Sequence, residues 1–302
     1  VLAAAVLVGW WVVPEWTARW TLGADSAPRR TTDGQPVAET RIATLLGAVG
    51  QVFDPQTGQP WALGADLSSG AGLTTGTGVR ATLALGDGRS LRLDEHSRVL
   101  LEGPGQLRLL AGAVYVDSPP AAAHRPFAVL TPLGPVQEIG TRFEVRLLES
   151  GEADPRTEAR QLSVRVRDGR VQVTRSLVDR LPAGAGEVVH EAVAGERLDL
   201  PATGEPIRRS ALSPADPLWS WTWRAGVGFA IEGATLEEFL TWYRREAGRP
   251  VTLGKSPGAR APGDIVLHGS VTGLEPDDAL AVVCRSAGWQ ARRQAEGWFL
   301  TP

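Results

Sequence analysis

The chain has 302 residues, a formal charge of −3 and a hydrophobic fraction of 43%. That length suits about two domains with buried cores. The charge excludes a generally basic nucleic-acid binder, because phosphate neutralisation needs a concentrated excess of arginine and lysine. The single cysteine, Cys284, excludes an internal disulfide framework and a cysteine-based zinc cluster, while Gly 35, Pro 22 and only 6% aromatics favour turn-rich β structure over a helical bundle.

Residue 1 is valine, so the expectation is a truncated N-terminus or a non-ATG start. Val1 to Val13 is apolar throughout, and Trp10, Trp11, Trp16 and Trp20 crowd its end as an interfacial aromatic belt would. As a helix it reaches about 20 Å, short of the roughly 30 Å hydrocarbon core. Residues 1–20 are therefore read as a truncated membrane helix or anchor, in preference to a buried globular helix or a signal peptide. Arg19, Arg29 and Arg30 weakly oppose export of the downstream chain. Residues 21–40 carry no hydrophobic period and read as a linker.

From about residue 41 to 210 the apolar period is two. Val79, Ala81, Leu83 and Leu85 alternate with polar neighbours, Asp87-Gly88 marks a tight turn, and Leu91 and Leu93 resume the pattern. By the same logic Ala111-Gly112 and Asp168-Gly169 are predicted hairpin turns, the first between Leu107/Leu109 and Val114/Val116, the second between Val164/Val166 and Val171/Val173. Phe143, Val145 and Leu147 make another inward row, preceded by Gly140 at the expected start of its strand. There a close backbone approach or a φ closed to L-residues is predicted. One face of these strands is expected buried and the other wet.

The texture changes near Ala211. In the connector, 211–228, Trp219, Trp221 and Trp223 recur at period two, which predicts a strand with three rings on one face. They form either a seam between domains or an exposed platform for a protein or a glycan. Over 229–302, Thr235 and Glu238 spell a capping box opening a helix whose buried face is Leu236, Phe239, Leu240, Tyr243 and Ala247, with Gly248 at its end. Val251 and Leu253 form a strand, and Ile265 to Leu267 a second. Pro276, Asp277 and Asp278 open a second helix, with Cys284 a buried structural thiol. Strands around Trp289 and Trp298 close a small α+β module of βαβ units.

No catalytic constellation emerges. Gly76-Thr-Gly78-Val-Arg-Ala81 spells a dinucleotide fingerprint but precedes a strand where a helix is required. His96, His124, His190 and His268 are isolated, without metal-ligand spacing. Ser68-Ser69-Gly70 lacks the nucleophile elbow. The expectation is a non-enzyme without cofactor or metal.

The runs LALGDGRSLRLDEHSRVLL, LRLLAGAVYVDS, RPFAVLTPLGPVQEIGTRFEVRL and VRVRDGRVQV resemble, in that order, the FecR domain. The signal spans about residues 45–200, and its most specific positions are Asp87, Gly88, Gly112, Gly140, Thr141 and Phe143, with Asp168 and Gly169 in the last run. The segments FAIEGATLEEFLTWYRREAGRPVTL and LHGSVTGLEPDDALAVVCRSAGWQAR are similar to the short N-terminal module of secretins and TonB-dependent receptors. The resemblance implies a mainly β protein: an all-β domain over 41–210, solenoid- or sandwich-like, followed by the α+β module. It further implies a single-pass inner-membrane protein with its bulk in the periplasm, which overrules the argument from Arg19, Arg29 and Arg30. Such proteins receive a signal from the signalling domain of a TonB-dependent outer-membrane receptor and control an extracytoplasmic-function sigma factor, as anti-sigma factor or activator. Contact with the sigma factor is expected only through a cytoplasmic segment that none of these residues resembles. The alternative is a cell-envelope glycan- or polymer-binding module; a hydrolase lacks any nucleophile–base pair.

Overall fold

A computed structural model describes residues 41–119, 122, 125–148, 161–175, 188–202, 205–254 and 260–302. The expected membrane stretch 1–20, the linker 21–40 and His124 lie outside the described residues. No described helix is long and apolar enough to cross a membrane.

The alternating segments form β1 (Arg41–Val49), β2 (Asp66–Ser68), β3 (Gly72–Thr74), β4 (Arg80–Leu85), β5 (Ser90–Leu93), β6 (Arg98–Gly103) and β7 (Gln106–Asp117). They continue as β8 (Ala128–Leu130), β9 (Val136–Leu148), β10 (Gln161–Arg175), β11 (Val188–Val193), β12 (Glu196–Pro201) and β13 (Arg208–Ala211). The main path runs β13-β12-β10-β9-β8-β7-β5-β4-β1-β2, with β11 beside β10 and β6 joining β3 to β7. Neighbours are antiparallel except β7 and β8. Leu83, Leu91, Val116, Phe143 and Val166 face one another in register across β4, β5, β7, β9 and β10 and are fully buried. Period two thus becomes one continuous apolar layer.

Three long strands bend and change partner. The first half of β7 pairs with β6 and the second with β5. β9 leaves β8 to join the second half of β7, and β10 is shared end to end between β12 and β11. The corners fall at Gly112, Gly140 and Gly169, with φ of 76°, 65° and 76°. A strand that turns a corner through a bulge lets one sheet fold over a single core, and the result is sandwich-like. The core combines Val99, Leu107, Val129 and Val171 from one layer with Leu83, Val114 and Val164 from the other.

Two predicted hairpins are corrected here. Ala111-Gly112 and Asp168-Gly169 lie inside unbroken strands. A glycine interrupting the alternation is the same signal for a turn as for a bulge, and only the partner strands distinguish them. The Asp87-Gly88 turn does join β4 to β5, with Gly88 at φ 90°. Gly140 stands inside β9 instead of at its start.

The tryptophan segment is also corrected. Pro217–Trp219 forms a 3-10 turn capped by Asp216, and it runs into the short helix α1 (Ser220–Ala225). The Asp-Pro pair sets a helix start, which overrides the period-two spelling. Next come α2 (Leu236–Ala247), β14 (Val251–Leu253), α3 (Pro276–Ser286), β15 (Gln290–Arg293) and β16 (Trp298–Thr301). Both halves of the capping box are made at Thr235 and Glu238, and Gly248 closes α2 in the left-handed region. The Ile265–Leu267 stretch is no strand; it makes one isolated bridge, between Thr235 and Val266. The small sheet has the order β14-β16-β15, with β14 parallel to β16. Leu236, Phe239, Leu240, Tyr243, Leu280 and Val283 form its separate core. Cys284 is buried there, and burial pushes its thiol up to about 11.

Candidate functional site

The second face of the sheet is not wet. Thr82, Arg92, Tyr115, Glu144 and Arg165 stand directly opposite one another across β4, β5, β7, β9 and β10. Each occupies the polar slot of an apolar–polar alternation, and all five are buried. The cover is the 3-10 turn, α1 and the last turn of α2. A buried charge needs partners, and opposite charges at facing positions supply them.

Glu144, fully buried, receives Arg165 Nη1 at 3.0 Å, Arg146 Nε at 2.7 Å and Trp221 Nε1 at 3.0 Å. Arg146 also reaches Asp94 at 2.7 Å, which accepts Arg80 Nε at 2.9 Å from its other side. Tyr115 lies edge-on to Trp219 and Trp221, with ring centroids 6.0 and 6.5 Å apart. Ala113, Tyr115, Leu212, Trp219, Trp221 and Ala225 form a small apolar cluster that fixes the connector to the sheet. The buried rings of Trp219 and Trp221 offer no open platform for a sugar. Trp223 is half-buried, with the Arg224 guanidinium 4.9 Å from its ring centre.

Beyond the connector the contact is ionic. Arg92 makes a bidentate pair with Glu246 of α2, both bonds 2.7 Å, and also donates to the Thr222 carbonyl at 2.9 Å. Arg167 Nη2 donates to the Glu246 carbonyl at 2.6 Å, Arg142 Nη1 to the Arg245 carbonyl at 2.8 Å, and Arg245 pairs with Asp117. Four charged sheet residues thus converge on the C-terminal turn of α2, whose free carbonyls favour cations. Burial alone would raise the Glu246 carboxyl; the Arg92 charge and hydrogen bonds outweigh it and hold the group below the usual carboxylate range.

A second buried cluster gathers several of the sequence-predicted residues. Asp87 pairs with Arg89, whose side chain is fully buried and reaches Glu138 at 2.5 Å. Glu138 accepts Ser118 Oγ at 2.6 Å and Thr141 Oγ1 at 3.5 Å. The Asp-Gly turn and the Ile-Gly-Thr corner are clasped together by Arg89. Phe143 lies in the core, and Asp168 is an exposed partner of Arg142 at 3.3 Å. A Cβ at Gly112 would stand 2.5 Å from Ser97 Cα, and one at Gly169 would strike the Gly140 carbonyl. These residues shape the scaffold. Asp277 does more than face the helix dipole, for it accepts Tyr243 Oη at 2.5 Å and Trp298 Nε1 at 3.3 Å. The paired row Arg92, Tyr115, Glu144, Arg165 and its partner Glu246 were missed from sequence. Charges of opposite sign recurring in polar slots of successive strands were the available signal.

The domain is thus a sandwich with one apolar and one charged, covered face, and it carries an α+β module on an ionic seam. Residues 71–172 match the family model described as FecR protein. The match runs from β2–β3 into β10, within the 45–200 span of the sequence signal. No curated protein matches the chain. Two solved structures of a candidate anti-sigma factor from Parabacteroides distasonis, at 1.65 and 2.50 Å resolution, align over 76% of this chain and 97% of theirs. Both are 17% identical to it, with TM-scores of 0.37 and 0.36.

Proposed function

We propose that the chain is the periplasmic sensor and transmitter part of a FecR-like inner-membrane regulator of an extracytoplasmic-function sigma factor. It receives its signal by protein–protein binding from the signalling domain of a TonB-dependent outer-membrane receptor. The FecR match over residues 71–172 carries this reading. The receiving element is the C-terminal module, similar in sequence to the short N-terminal module of secretins and TonB-dependent receptors. Among the described residues β15 pairs only with β16, which leaves its outer backbone groups available to an added strand.

The test uses the full chain and a purified receptor signalling domain. The Gln294 N–H to Gly297 carbonyl bond sets the hairpin phase, which turns the Ala291 N–H outward. Ala291→Pro removes that donor and leaves the β15–β16 ladder intact. Binding should weaken by about tenfold, the worth of one hydrogen bond. Unchanged affinity would rule out strand addition at β15, and no binding by the parent chain would overturn the receptor partner.

A further inference from the structure

The two sides of the seam are held by different chemistry. The connector is fixed to the sheet by the apolar cluster around Tyr115, Trp219 and Trp221, with hydrogen bonds from Trp221 to Glu144, from Arg92 to the Thr222 carbonyl and from Thr82 to the Ala225 carbonyl. The C-terminal module keeps its own core, which shares no residue with the sheet's. It is docked on the sheet by the Arg92–Glu246 pair, by Arg245–Asp117 and by the two arginines on the α2 carbonyls. Gly226 and Gly228, the latter at φ 79°, lie between the fixed connector and the docked module.

The geometry points to a releasable ionic latch, in which the module lifts off the charged sheet face about the Gly226–Gly228 segment, with Arg92–Glu246 as the bolt and both cores intact. A buried ion pair costs desolvation when it forms, and that cost is returned when water re-enters. The Nε atoms of Arg92 and Arg142 are buried without a partner, so they too gain hydrogen bonds on opening. An apolar seam has no such return and would hold the module shut. The bidentate geometry defines the closed position closely even though closure is not strongly favoured. A partner that binds the lifted module better than the docked one shifts the balance by that difference in affinity. The latch itself stands on the seam; its use in signalling rests on the proposed regulator role.

The test needs no partner protein, so it can fail while the regulator role stands. Spin labels at Ser210→Cys in β13 and Gln290→Cys in β15, both exposed, report the distance between sheet and module in the full chain. The native thiol, Cys284, is buried and stays unlabelled. Glu246→Gln should create a second, longer-distance population above about 10% of molecules. Arg92→Met with Glu246→Leu, an apolar bolt, should abolish that population. Hydrogen exchange at Val164 and Leu280, one amide from each core, should match the parent in both variants. Three results would each overturn the latch. They are an unchanged distance distribution in Glu246→Gln, a double variant as open as the single one, and faster exchange in either core.

Discussion

Gly140 and Gly169 show how much a single position decides. They face each other at the corner of β9 and β10, both in the left-handed region, where a β-branched side chain is strained. Gly140→Val should therefore cost about 1–3 kcal/mol, read from the denaturant midpoint; an unchanged midpoint would show the corner to be permissive. Glu246 makes the second residue-scale prediction. Its carboxyl is held below the usual range, so its charge stabilises the docked module above that range and the contribution is lost as pH falls through the lowered value. The gap in opened population between the parent and Glu246→Gln should be full at neutral pH and shrink below about pH 4. A gap independent of pH would mean the carboxylate charge is not what matters.

At the scale of elements, α2 is the piece that joins the two modules. Its ends are set locally, by the capping box at Thr235 and Glu238 and by Gly248, while the sheet supplies the arginines that bind the carbonyls of its last turn. Thr235→Ala should lower stability by about 1 kcal/mol, visible as earlier thermal unfolding of the helical signal, and equal melting would show the cap to be redundant. The long strands β7, β9 and β10 are elements of a different kind. Each serves two partners, so its register is defined by neighbours far away in sequence. The capping box could be read from four residues; the corners could not, because glycine in an alternating run permits a turn, a bulge or a bend.

For the whole molecule the two separate cores matter most. A chain ending at Ala225 keeps the sheet's core and its connector cluster and should still unfold in one cooperative transition by circular dichroism. A sloping, non-cooperative melt would show that the sheet needs the module. The same truncated chain should lose binding to a receptor signalling domain if the module is the receiver.

Alternation of apolar residues by itself determined that the described stretches between about 41 and 210 are strand-rich, and the cap residues determined where α2 and α3 begin. These are local preferences of backbone and side chain, written within a few neighbouring residues. The tertiary structure alone decided that Gly112 and Gly169 bend strands instead of ending them. It also decided that the polar face is buried. Arg92, Tyr115, Glu144 and Arg165 look like solvent-facing residues in any one strand. They become a site only when four strands set them in one row and the last turn of α2 brings Glu246 over it, because burying charge is tolerable only where distant segments supply the opposite charge.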